Sequence, residues 1–91
     1  MKLYGLTAMD SRRKRLLFRC NHRGMKENDF LLGNFTAKHV KELTNLQIVS
    51  LETLLDESDN DIYNWIIGKE PLPDAHNHDL MEWLRRFNNC L

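Results

Sequence analysis

Ninety-one residues, 42% apolar and 29% charged, make one small globular domain and leave no room for a catalytic domain beside a regulatory one. No apolar run approaches the ~18 residues of a membrane span, and the opening Met1-Lys2-Leu3-Tyr4-Gly5 lacks the ~7–15-residue apolar core of a secretory signal. The formal charge is zero, yet eight basic residues accompany one acid up to Lys26, and five accompany twelve acids from Glu27 onward. Such a split fits nucleic acid binding, an acidic partner, or attraction between the two halves. Two cysteines, Cys20 and Cys90, are too few for a disulfide scaffold and point to a reducing compartment. A soluble intracellular domain is expected.

Helical spacing runs through the chain and strand alternation is nearly absent. Asp10-Ser11 caps a first helix whose apolar stripe is Leu16, Leu17 and Cys20, with Gly24 as its stop. A second helix begins near Lys26-Glu27, where Glu27 and Asp29 suit the positive end of the helix dipole. Leu31, Leu32, Phe35, His39, Val40 and Leu43 continue its stripe past Gly33. Thr44 and Gln47 have capping-box spacing ahead of a third helix carrying Ile48, Leu51, Leu54 and Leu55. Ser58-Asp59-Asn60-Asp61 caps a fourth with Ile62, Trp65 and Ile66, ended by Gly68. Pro71 and Pro73 forbid helix for several residues. Asp74 or Asn77 then caps a last helix with Leu80, Trp83, Leu84, Phe87 and Leu91 on one face. The expected fold is all-α, a small single-domain bundle of about five short helices. Residues 1–10 are expected to form a flexible N-terminal segment and residues 11–91 the helical domain. Leu32, Phe35, Leu51, Leu55, Ile66, Leu84 and Phe87 are its expected core.

No catalytic constellation is present: there is no nucleophile elbow, phosphate-binding glycine loop, Cys-x-x-Cys or His-Glu-x-x-His. Asp56-x-Ser58-x-Asn60 opens like a calcium loop, but its sixth position is Asp61 and its twelfth Ile67, so capping explains it better. Cys20 with His22 and His76 with His78 fall short of a zinc ligand set, which leaves surface histidines and a half-buried thiol. Arg12-Arg13-Lys14-Arg15 could touch phosphates, but no recognition helix or base-stacking aromatic accompanies it. Trp65 and Trp83 both have core spacing. Of the two, Trp65 beside the acidic corner is the expected surface indole and interface anchor.

The most unusual stretch is His22-Arg23-Gly24-Met25-Lys26-Glu27-Asn28-Asp29. Its glycine permits a sharp turn, Arg23 offers five fixed donors, and Glu27 and Asp29 supply acceptors one turn later. A plain helix cap followed by a dipole-favoured acidic start would produce the same residues.

At this point the chain resembles the SdhE family, known in eukaryotes as succinate dehydrogenase assembly factor 2. Arg23-Gly24-Met25-x-Glu27-x-Asp29 matches the family's Arg-Gly-x-x-Glu signature with its usual methionine and aspartate. Arg12 to Leu17 looks like the family's first helix, and Leu31-Leu32 with Phe35, Leu54-Leu55, Asp59-x-Asp61, Trp65 and Gly68 fall where the family has them. The likeness runs from about Ser11 to Phe87. The first nine residues and the tail from Asn88 to Leu91 lie outside it.

The resemblance implies a helical binder of the flavoprotein subunit of succinate dehydrogenase or fumarate reductase. It implies that this binder promotes covalent attachment of FAD to a histidine of that subunit. In such a factor the bond-forming chemistry belongs to the flavoprotein, so no catalytic residue, metal or tightly held FAD is expected here. The FAD is the partner's. Arg19, His22, Arg23, Gly24, Met25, Glu27 and Asp29 are the expected docking residues, with Trp65 as an exposed anchor. Arg23 and Glu27 are expected to face the partner, so that truncating either leaves the melting temperature nearly unchanged. A monomer in a bacterial cytoplasm, or a mitochondrial matrix if eukaryotic, is expected, with no nucleic acid or membrane partner. A helical nucleic-acid-binding module, or another interaction module using the basic first helix, is the alternative.

Overall fold

Among the described residues, five α-helices follow one another in the order the spacing implies: α1 Ser11–Asn21, α2 Lys26–His39, α3 Asn45–Leu55, α4 Asp59–Ile66 and α5 Asp79–Phe87. The structure is a computed structural model and describes residues 10–90. The segment expected to be flexible lies outside the described residues except for Asp10, and so does Leu91. Among the described residues there is no strand, and no helix is long and apolar enough to cross a membrane.

Local chemistry sets the helix ends. Asp10 accepts the Arg13 amide at 2.8 Å and starts α1. Thr44 and Gln47 form both arms of the capping box, at 3.1 and 2.9 Å, and start α3. Ser58 accepts the Asp61 amide and starts α4. Gly68, at φ +81°, closes α4: its N–H donates to Trp65 O, and the next N–H, of Lys69, donates to Asn64 O at 2.8 Å.

Three boundaries differ from expectation. Val40 and Leu43 stay in the core, but α2 stops at His39 and a 3-10 turn spans Val40–Glu42. Arg13 explains the break, because its guanidinium takes the carbonyls of Val40 and Leu43 at 3.2 and 2.6 Å. The cap of α5 is His78, whose Nδ1 accepts the Met81 amide at 3.1 Å. Asp74 instead begins a 3-10 turn, Asp74–His76, that follows Pro73. Finally, α5 ends at Phe87 and does not reach Leu91. Asn89 at φ +59° terminates it, with the Cys90 amide on Arg85 O at 2.8 Å.

The core gathers Leu16 and Cys20 of α1, Leu32 and Phe35 of α2, most of the apolar face of α3, Ile62, Trp65 and Ile66 of α4, and Leu80, Met81 and Leu84 of α5. Each such side chain is worth roughly 1.5–3 kcal/mol of burial. Of the expected core only Phe87 is partly exposed, where its ring meets Phe35 edge-on at 5.5 Å. At Gly33, where α2 passes the end of α1, a Cβ would sit 2.5 Å from Asn21 Oδ1, so this exposed side chain would have to move aside, while the Cys20 carbonyl at 3.5 Å is an ordinary contact.

Burial also corrects three side chains. Cys20 is fully buried, and burial pushes its thiol up to about 12. It should therefore resist thiol reagents in the native state and react only on unfolding, whereas the partly exposed Cys90 should react at once. His76 is not a surface residue: it is 1% exposed, with Nε2 on Glu57 at 2.7 Å and its ring 5.2 Å from Trp65. Trp65 is itself buried, so the half-exposed indole is Trp83, which packs against Phe35 and His39. Trp65 is withdrawn as an exposed anchor.

Burial, and then the neighbouring His76, hold the imidazole of His78 below its ordinary value of 6.5. The unfolded chain then binds the extra proton more readily, so stability is complete above about pH 6.5 and falls as pH drops through the lowered native value. Protonation also removes the Nδ1 acceptor that caps α5. His78→Asn keeps a capping acceptor without titrating. Melting curves between pH 7.5 and 5 should therefore be flatter for that variant, and equal slopes would contradict this role.

Candidate protein-docking site

The charge split becomes contacts between the two halves of the chain. Arg12 pairs with Glu52 through two bonds of 2.8 and 2.6 Å, Arg19 with Asp56 at 3.1 Å, and Arg23 with Asp59 at 2.8 Å. The first two are exposed pairs, worth at most about 1 kcal/mol each. The third is different, because the Arg23 side chain is only 12% exposed.

Arg23 spans the gap between the α1–α2 turn and the α3–α4 turn. Its Nε donates to Asp59 Oδ1, one terminal nitrogen donates to Leu55 O at 2.7 Å, and the other to Glu57 O at 3.1 Å. A guanidinium on Leu55 O, the last carbonyl of α3, also complements that helix's negative end. Its backbone N–H donates to Asp29 Oδ1 at 2.6 Å. Arg23 therefore faces inward, where the sequence implied an exposed side chain. Asp29, too, is occupied within the turn.

Gly24 and Glu27 lie on the outside of this corner. Gly24 has φ +89°, and a Cβ built there would meet nothing within 4 Å, so the backbone of the turn is open to approach. Glu27 is exposed in the first turn of α2 and forms no ion pair with a described residue. Met25 is half-buried. Arg19 is held by Asp56, while His22 stacks on the exposed ring of Phe18 at 4.0 Å, with Nδ1 on Phe18 O.

A shallow groove of about 380 Å³ begins at this corner, lined by Lys26, Glu27, Phe30, Leu31, Tyr63 and Ile67. Phe30 is 63% exposed, unusual for a phenylalanine in so small a domain. Phe30, Tyr63 and Ile67 stand outside the docking set expected from the sequence. The signal for Phe30 was available, since two residues before Leu32 is about 200° around a helix and faces away from the core. Asn28 was also missed, although it stands three and four residues before Leu31 and Leu32 on the buried stripe. It is fully buried and its Nδ2 donates to the Asp59 carbonyl at 2.9 Å and to Asp59 Oδ1 at 3.2 Å.

Among the described residues no three His, Cys, Asp or Glu side chains converge as a metal site. The acidic run read against a calcium loop serves the fold: Asp56 holds Arg19, Ser58 caps α4 and Asp59 holds Arg23 and Asn28.

A family described as "Flavinator of succinate dehydrogenase" matches residues 14–88. The chain belongs to that family. It is 35% identical over 77 residues to a Dictyostelium discoideum protein named "Succinate dehydrogenase assembly factor 2, mitochondrial", covering 85% of this chain and 55% of the relative. A Kluyveromyces lactis protein of the same name is 38% identical over 85 residues, covering 89% of this chain and 52% of the relative. The Acetobacter pasteurianus "FAD assembly factor SdhE" is 38% identical over 64 residues, covering 70% of this chain and 59% of the relative. The chain thus spans between half and three-fifths of the length of these relatives. The family's match takes in all five helices apart from the first turn of α1, and with them the whole Arg23–Glu27 corner.

Proposed function

We infer that this chain is a non-enzymatic assembly factor that binds the flavoprotein subunit of succinate dehydrogenase or fumarate reductase and promotes covalent attachment of FAD to it. The carrying observation is the open corner at Gly24 and Glu27 continuing into an apolar groove, a surface suited to a protein partner. The chain's part is to bind and orient. A binder accelerates a reaction only by favouring the reactive arrangement, so the factor holds the subunit's flavin site and acceptor histidine together. FAD remains the partner's ligand, and the compartment is the bacterial cytoplasm or the mitochondrial matrix. Engagement of Arg12, Arg13 and Arg19 within the domain favours this reading over a basic helix laid on nucleic acid.

The test is co-purification with the flavoprotein subunit, followed by in-gel flavin fluorescence after denaturation. A fluorescent subunit band that depends on this chain is expected. Capture of no flavoprotein, or flavinylation at the same rate without the chain, would defeat the proposal.

A further inference from the structure

Residues 24–27 are clamped at both ends to one carboxylate oxygen. On one side, Arg23 Nε donates to Asp59 Oδ1 at 2.8 Å; on the other, Asn28 Nδ2 donates to the same oxygen at 3.2 Å. The Asn28 amide also holds the Asp59 carbonyl, and Asp29 Oδ1 closes the turn from within by accepting the Arg23 amide. Gly24, Met25, Lys26 and Glu27 are the residues between these anchors.

The fold retains a cost to keep this arrangement. Asn28 is fully buried, and its Oδ1 has no partner among the described residues. A leucine at 28 would extend the Leu31, Leu32 and Phe35 stripe without any orphaned acceptor. It could not donate to Asp59.

We propose that Asn28 and Asp59 are positioning residues for docking: with Arg23 they lock the Gly24–Met25 turn and the first residues of α2 in the arrangement that the partner receives. The proposal rests on the reading of that corner as the docking surface. A turn already ordered spares the complex the entropy of ordering it on binding. Loosening the clamp therefore lowers affinity even when every contacting residue is retained.

Three variants separate the roles. Asn28→Leu keeps the branched outline of the side chain with added bulk and removes the donor, Asp59→Ala removes the shared acceptor, and Asp59→Asn keeps an Oδ1 acceptor without the charge. Hydrogen exchange on the chain alone follows the amides of Arg23 and Asp29, which are bonded to Asp29 Oδ1 and Met25 O. Calorimetry then titrates each variant with the purified flavoprotein subunit, at a temperature where circular dichroism shows it fully helical. In Asn28→Leu and Asp59→Ala, both amides should exchange at least roughly tenfold faster, with α5 unchanged, and Kd should rise about tenfold or more. Asp59→Asn should restore both. Unchanged exchange at Arg23 and Asp29 overturns the clamp, and faster exchange with unchanged affinity overturns its role in docking. If Asp59→Ala unfolds, Asn28→Leu carries the test. A wild-type chain that fails to bind defeats the docking reading and this role with it, while the exchange data still decide whether the clamp exists.

Discussion

Arg23→Ala should lower the stability of the domain by about 2–3 kcal/mol, a shift of roughly 10 °C or more in melting temperature. The sequence, read as an exposed helix boundary, implied almost no change. The structure reverses that expectation because the guanidinium is mostly buried and makes three charge-assisted bonds, to Asp59, Leu55 O and Glu57 O. Truncation removes all three and leaves the Asp59 carboxylate with only the Asn28 amide. It also strips the end of α3 of its cation. Arg23→Lys should recover less than half of the loss, since one ammonium cannot reproduce the fork that reaches all three acceptors. Thermal and urea melts by circular dichroism give the answer. A melting temperature within about 2 °C of wild type would show that these bonds are replaced by water at no cost.

Elements were more legible than partners. The capping box at Thr44 and Gln47, the Asp10 and Ser58 caps and the Gly68 stop are local chemistry, written within four residues, and the structure carries each of them. His78 escaped because histidine is seldom a cap and because Asp74 and Asn77 offered commoner ones. The end of α2 escaped because its cause, Arg13, lies 27 and 30 residues away. The same limit applies at the corner around Gly24. Spacing could place Arg23, Gly24 and Glu27 together, but it could not show which of them faces inward, because Arg23's acceptors belong to the α3–α4 turn, 32 to 36 residues on. Trp65 was assigned to the surface from its acidic neighbours, yet it lies on the Ile62 and Ile66 face of α4 and against His76.

Glu27→Ala should leave the melting temperature within about 2 °C of wild type and yet abolish capture of the flavoprotein subunit. Glu27 is exposed and has no ion-pair partner among the described residues, so its truncation costs the fold only a favourable charge in the first turn of α2, about 0.3–1 kcal/mol. On the proposed docking reading, the same carboxylate would be desolvated against a donor or cation of the subunit. Removing one member of such a pair costs about 2–5 kcal/mol, at least roughly thirtyfold in Kd. Gly24 gives the companion measurement. At φ +89° any side chain is strained by about 1–3 kcal/mol, but a Cβ meets nothing within 4 Å, so the domain itself has room for one. Gly24→Ala should therefore destabilise while binding weakly, and Gly24→Arg should destabilise to a similar extent while not binding at all, because only the partner's approach is sensitive to the longer side chain. Melting curves, calorimetry with the purified subunit and in-gel flavin fluorescence separate the two quantities. If Glu27→Ala and Gly24→Arg both support full flavinylation, the subunit docks elsewhere on the domain, and the exposed pair Phe18 and His22 on α1 becomes the next surface to mutate.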